Sequence, residues 1–346
     1  MDIFELISNN GVFIVAELSA NHNGSVKNAL KTIKAAKYAG ANAIKLQTYL
    51  PDTITIDCDN EFFQINHGTL WDGKTLYNLY KEAYTPWEWH KELFDCAKNE
   101  GLICFSSPFD RTAVDFLEEL KCPIYKIASP EITDIPLIKY VALKGKPVIL
   151  STGIARLEDI ELAVNTIRAA GNNQIVVLKC TSEYPTPPDN ANLLTIKNIY
   201  ETFNVLSGLS DHTLGIEAPI IAVALGARII EKHIILNHSI GGLDANFSLD
   251  ANEFKTMVES IRKTEKLIGS VNYTITQKMD LIRRKGARSV FVVKDIIKGE
   301  LLTENNIRSI RPGFGLHPKY YEEILGKKAR SNLKKGAPLR FEDFED

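Results

Sequence analysis

Two alternating textures limit what this chain can fold into more than any other feature. Between Val12 and about Gly269 short apolar runs take turns with segments of helical period, eight times over. Parallel strands need crossovers of a dozen or more residues, so the alternation predicts parallel strands joined by helices. The predicted strands are Val12–Glu17, Asn42–Thr48, Leu102–Ser107, Ile124–Ser129, Pro147–Thr152, Gln174–Thr181, Val205–Ser210 and Arg228–Ile234. Seven of them carry runs such as Val148-Ile-Leu150 that are apolar on both parities, which implies that both faces are covered. Eight covered parallel strands point to an α/β fold of the (β/α)8 TIM-barrel type. An open doubly wound sheet has the same alternation. It would carry a glycine-rich turn after its first strand, where this chain reads Leu18-Ser-Ala-Asn-His-Asn-Gly24.

At 346 residues the chain exceeds the usual single domain. Residues 1–269 are expected to form the barrel, the polar stretch 270–286 a linker, and 287–346 a small domain of short strands and turns. The segment Tyr49–Thr85 is unusually long for a loop, and its Trp71, Tyr77, Tyr80 and Tyr84 argue for an ordered cap over the barrel mouth, with a packing excursion as the alternative. A net charge of −2 leaves no basic excess for a nucleic acid or an anionic membrane, and Arg283-Arg284-Lys285 reads as a solvated turn. A small-molecule partner is expected. The five cysteines are odd in number and include no CxxC pair, the start Met1-Asp2-Ile3-Phe4-Glu5 lacks a signal peptide, and no long apolar span occurs. A cytoplasmic location is expected.

In a barrel the chemistry sits where strands end. Those ends read Glu17, Lys45 and Gln47, Ser106 and Ser107, Lys126 and Ser129, Ser151, Lys179 and Thr181, Ser210 and His212, Glu231 and His233. Residues two apart share a strand face, so Lys45 with Gln47, Lys179 with Thr181, and Glu231 with His233 are each expected to point inward together. Lysines and serine hydroxyls converging on one mouth suit an anion carrying phosphate and carboxylate. His212 and His233 end neighbouring strands and are expected to share one divalent metal, with Glu231 nearby. Manganese suits two imidazoles with oxygen donors, with magnesium, cobalt or iron as alternatives.

These segments resemble the sialic acid synthase family: Glu17-Leu-Ser-Ala-Asn-His-Asn-Gly24, Lys45-Leu-Gln-Thr48, Ser106-Ser-Pro-Phe109, Lys126-Ile-Ala-Ser-Pro-Glu131, Ser151-Thr-Gly153, Ser210-Asp-His-Thr-Leu-Gly215 and Glu231-Lys-His233. Residues 287–344 resemble the family's antifreeze-like (SAF) domain through Ala287-Arg-Ser289, Lys298-Gly-Glu300 and Arg311-Pro-Gly313. The insert, with Gly68-Thr-Leu-Trp-Asp72, Leu76-Tyr77, Tyr80 and Thr85-Pro-Trp-Glu-Trp-His90, together with Gly315-Leu-His-Pro318, looks like the pseudaminic branch of that family. Two departures stand out, Leu18-Ser19 where many relatives have Ile-Gly, and Pro130 where glycine is common.

The resemblance implies a metal-dependent transferase that joins phosphoenolpyruvate to an amino-sugar aldehyde. It also implies a domain-swapped homodimer that delivers Arg311 in trans. Lys45, Lys126, Ser107, Ser129 and Ser151 are expected to hold phosphoenolpyruvate, His212 and His233 the metal, and Glu131 to move a proton or hold a sugar hydroxyl. Family positions place Glu17, Gln47, Ser182, Tyr184 and Asp244 beside the substrates. Ser210 joins them as a strand-end hydroxyl. Competing readings are an N-acetylneuraminate or legionaminate synthase, a Schiff-base aldolase using Lys126 or Lys179, and a sugar- or ice-binding protein without catalysis.

Overall fold

The apolar runs form the strands expected of them, six shortened by a residue or two at their ends and the third and seventh shifted one residue onward. In the computed structural model, which describes residues 3–9, 11–66, 68 and 70–346, the strands are β1 (Phe13–Glu17), β2 (Ala43–Thr48), β3 (Ile103–Pro108), β4 (Tyr125–Ile127), β5 (Val148–Ser151), β6 (Ile175–Cys180), β7 (Leu206–Asp211) and β8 (Ile229–His233). Thr69 of the insert motif and the start Met1-Asp2 lie outside the described residues. All pairings are parallel and run β1 to β8 in order, with β8 closing on β1. Closure abolishes the sheet edges that an open doubly wound sheet would leave, and so excludes that alternative.

Local sequence sets the helix starts. Ser25, Asp110 and Asp134 cap the helices Val26–Tyr38, Arg111–Glu119 and Ile135–Ala142 by accepting from backbone N–H groups of the first turn. Asp250 and Glu253 form a capping box at the start of Ala251–Ile268. Fully buried residues such as Ile33, Val114, Ile138 and Ile261 press these helices onto the barrel wall. Gly208 of β7 has a local reason: a Cβ there would sit 2.3 Å from the Ile229 carbonyl oxygen and 2.8 Å from Leu178 Cδ2.

The chain divides after Gly269, and the unit Ser270–Asp346 is built on its own core. The helix Gln277–Gly286 lies inside the stretch expected as a linker, capped by the Thr276 hydroxyl. β9 (Ser289–Val292) pairs antiparallel with β10 (Ile307–Ile310), and β11 (Lys328–Ala329) with β12 (Phe344–Glu345). Val290, Val292, Leu302, Ile307 and Leu339 fill the space between. The Ser289 hydroxyl donates to the Pro312 carbonyl (2.6 Å) and accepts from Gly315 N–H (2.8 Å), so one serine ties down the loop that carries Arg311. Among the described residues no helix is long and apolar enough to cross a membrane.

Candidate active site

Strand register assembles the floor of a cavity at the carboxyl ends. Glu17 stands opposite Lys45 on one side and His233 on the other, Gln47 opposite Ser107, and Ser210 opposite Glu231. Lys45 Nζ lies 2.9 Å from Glu17 Oε2 and 3.6 Å from Glu231 Oε1, and Lys126 Nζ lies 3.1 Å from the same Glu231 oxygen. The Ser210 hydroxyl donates to Glu231 Oε1 (3.0 Å), and Lys45 reaches Ser107 Oγ (3.4 Å). Four buried charges therefore neutralise one another, which is the condition under which such groups are tolerated away from water.

The network sets the protonation states. Burial alone would raise Glu231, but Lys126 and Lys45 overcome it and hold the carboxyl down at about 2. Burial pushes Glu17 up, because the Lys45 charge is partly offset by Glu231. Lys126 is lowered by burial, Glu231 only partly compensating. Glu131 belongs to the 3-10 turn Ser129–Thr133 and lines the same cavity. Burial pushes its carboxyl up to about 7, and its Oε2 has no hydrogen-bond partner among the described residues. Ser151 Oγ and Ser182 Oγ are likewise buried without partners. Gly153 leaves room beside them: a Cβ there would come 2.1 Å from Ser182 Oγ and 2.8 Å from Ser129 Oγ. These open hydroxyls, with two lysines, form a cradle for an anion.

The last two barrel strands bring the histidines together, with ring centroids 5.3 Å apart. His212 donates from Nδ1 to the Thr181 carbonyl (2.9 Å), the kind of orienting bond that metal-binding imidazoles make through their second nitrogen. His233 Nδ1 is buried and unpartnered among the described residues, with Asp244 Oδ2 at 3.6 Å. Burial keeps His233 well below the usual histidine range, hence neutral and able to ligate. An orphaned imidazole nitrogen beside a second histidine and a carboxylate fits a divalent cation. His238, Asp250 and Glu253 also lie close together, but they are largely exposed and make the hydrogen bonds of a helix cap.

Above this floor the rim is apolar. Tyr49, Ile54, Trp71, Leu79, Tyr80 and Ala83 come from the long segment after β2, Phe109 from the end of β3, and Leu243 and Phe247 from the loop after β8. Tyr184 packs against His212 (4.4 Å between centroids), Phe247 (5.2 Å) and Trp71 (5.6 Å) and joins floor to rim. The insert is thus an ordered cap, although Tyr77 points elsewhere and donates to Asp52 (3.2 Å).

The structure brings Glu17, Lys45, Gln47, Lys126, Ser129, Glu131, Ser151, Tyr184, Ser210, His212, His233 and Asp244 to one cavity. Ser107 lies beneath it, touching Lys45, and Ser182 beside it, next to Gly153. Arg311 belongs to the separate unit Ser270–Asp346, where it is exposed. One expectation fails. Lys179 and Thr181 do not line the cavity: Lys179 Nζ donates to the Cys180 carbonyl (2.7 Å) and to Thr181 Oγ1 (3.0 Å), and Cys180 faces inward instead. The apolar residues of β6 occupy both parities, so pattern alone gave the wrong face. That removes Lys179 as a Schiff-base lysine. Ser106 likewise turns outward, bonding Thr48 (2.7 Å), which meets His90 Nε2 (2.8 Å).

Comparison with known proteins follows the same lines. Residues 32–273 match the NeuB family and residues 287–345 the SAF domain. The chain is 49% identical to a pseudaminic acid synthase of Campylobacter jejuni over 345 residues, covering 100% of both chains. It is 50% identical to a pseudaminic acid synthase of Helicobacter pylori, covering 96% of this chain and 97% of that one. Among solved structures, an N-acetylneuraminic acid synthetase of Leptospira borgpetersenii in complex with citrate aligns with TM-score 0.70 and 32% identity over 79% of this chain and 90% of that one.

Proposed function

Because the chain belongs to the NeuB family and ends in a SAF domain, we propose that it makes pseudaminic acid. The reaction condenses phosphoenolpyruvate with 2,4-diacetamido-2,4,6-trideoxy-β-L-altropyranose and releases phosphate. The observation that carries this reading is a single cavity that joins two buried lysines and open hydroxyls to a histidine pair with an unpartnered nitrogen. Full-length identity to two pseudaminic acid synthases supports the choice of sugar.

Lys45 and Lys126 bind the phosphate and carboxylate of phosphoenolpyruvate, exchanging part of their bonds to Glu17 and Glu231, with Ser107, Ser129 and Ser151 adding hydroxyl contacts. His212 and His233 hold the divalent ion, manganese foremost, which would polarise the sugar aldehyde. Carbon 3 of phosphoenolpyruvate forms the new bond to the aldehyde carbon. Water then adds at carbon 2 and returns one proton to the Glu131 carboxylate, and the carbon–oxygen bond to phosphate breaks as the new hydroxyl gives its proton to the departing phosphate and becomes the ketone. Glu131, whose carboxyl burial pushes up to about 7, donates a proton to the aldehyde oxygen. Glu17, Gln47, Ser182, Tyr184, Ser210 and Asp244 orient the two substrates, and the rim excludes water.

The enzyme works as a cytoplasmic homodimer in which the partner's SAF domain supplies Arg311. Free cysteines at all five positions suit the cytoplasm. The exposed side chains of Val271 (90%), Tyr273 (93%) and Met279 (52%) support an interface in that part of the chain.

Phosphate release from phosphoenolpyruvate with manganese tests the reading, comparing the altrose sugar, its legionaminate-pathway counterpart and N-acetylmannosamine, with and without chelator. Chelator-sensitive turnover on the altrose sugar is expected. Turnover on another sugar would move the substrate, and none on any sugar would sink the synthase assignment.

A further inference from the structure

On the outer side of the barrel wall a lysine and an aspartate are shut away from water. The side chains of Lys232 and Asp211 are 0% and 2% exposed, and Lys232 Nζ lies 2.6 Å from Asp211 Oδ2. Strand parity puts them there. Glu231 and His233 face the cavity, so Lys232 between them faces outward, and Asp211 between Ser210 and His212 does the same. The register of β7 and β8 sets the two directly opposite one another.

Both side chains also grip Thr213. Asp211 accepts from Thr213 N–H (3.0 Å) and from its hydroxyl (3.1 Å), while Lys232 Nζ donates to the Thr213 carbonyl. The His212 carbonyl accepts from Thr186 N–H (2.9 Å). The backbone is therefore clamped on both sides of His212 and immediately before His233. A buried ion pair contributes little net stability, because desolvation offsets the attraction, and apolar side chains would pack this wall as well. What the pair adds is a fixed distance between two strand ends.

We infer that Lys232 and Asp211 are positioning residues that hold His212 and His233 at the separation a shared divalent ion requires. The inference rests on the reading of the two histidines as ligands. It is tested by Mn2+ binding, followed by electron paramagnetic resonance of the free ion, and by phosphoenolpyruvate binding to chelator-treated protein. The double variant Lys232→Met/Asp211→Leu removes both charges without stranding either, and Asp211→Asn keeps the volume but removes one of the two acceptor oxygens that hold Thr213 and Lys232. Expected is a weakening of Mn2+ binding by about tenfold or more, with phosphoenolpyruvate binding to the metal-free protein unchanged. Mn2+ affinity within twofold of the parent in either folded variant would overturn the inference, as would equal losses for both ligands, or failure of both variants to fold. His212→Ala in the same titration separates the premises. Unchanged Mn2+ binding there overturns the ligand assignment and this inference with it, whereas loss there beside parental binding in the pair variants overturns this inference alone.

Discussion

Floor and rim of the cavity are built by different means. The floor is carried by strand ends whose positions follow from barrel register, and its charged groups are tied to one another at 2.9 to 3.6 Å. The rim is carried by the long segment after β2 and the loop after β8, and it consists of aromatic and aliphatic side chains. Chemistry that needs atoms held within a fraction of an ångström sits on the rigid part. Under the proposed function, the contacts that would choose the sugar sit on segments that can change without disturbing the barrel.

Substitutions can break that division. On the floor, His212→Ala should lower kcat by about 10³-fold, the equivalent of several kcal/mol of charge stabilisation, while thermal melting shifts by only a few degrees. Activity retained with added manganese would remove His212 from the chemistry. Glu131→Gln should cost about 10²-fold in kcat and erase a pH limb near 7. The proton-donating form is lost as pH rises through about 7, so parental kcat/KM should fall above that pH and the variant's should not. Stability gives an independent check. A carboxyl raised to about 7 from 4.5 makes the folded state lose stability between those pH values, by about 3 kcal/mol at most. The Gln variant, which has nothing to ionise, should melt higher than the parent at pH 8, and an equal melting point would mean that Glu131 ionises in water-like surroundings. On the rim, Leu79→Asn should raise the sugar KM about tenfold and leave the phosphoenolpyruvate KM within twofold. A matching rise in both would show that rim and floor are one site.

The same division explains what could be read in the sequence. Strand positions were legible because eight apolar runs leave few topologies, and Glu17, Lys45, Lys126, His212 and His233 were legible because polar residues at strand ends interrupt those runs. Lys179 was misread because both faces of β6 are apolar-lined, so parity carried no signal there and Cys180 was missed. Rim residues such as Ile54, Leu79 and Phe247 were missed for a different reason: Ile54 and Leu79 sit on helices of only four and eight residues and Phe247 in a loop, too little sequence to show which face meets the cavity. The helix Gln277–Gly286 escaped because its apolar residues are exposed and scattered among charges.

Ser19 tests where floor ends and rim begins. It follows β1 with φ of 45°, a conformation that favours glycine. Here the serine adds a hydroxyl that accepts from Gln47 Nε2 (2.9 Å), and the same side chain offsets part of the rise that burial gives the Asp244 carboxyl in the loop after β8. Ser19→Gly relieves about 1 kcal/mol of backbone strain, but loses a hydrogen bond of about the same worth and adds chain entropy to the unfolded state. Stability should therefore change by less than about 1 kcal/mol. Gln47 keeps its bond to Glu17 Oε1 (3.0 Å), so the phosphoenolpyruvate KM should stay within about threefold, measured by initial rates. Asp244 loses the polar neighbour that lowers its carboxyl, so whatever change occurs should appear in the sugar KM. A larger shift for phosphoenolpyruvate than for sugar would place Ser19 with the strand-borne floor and move the boundary between the two regions beyond β1.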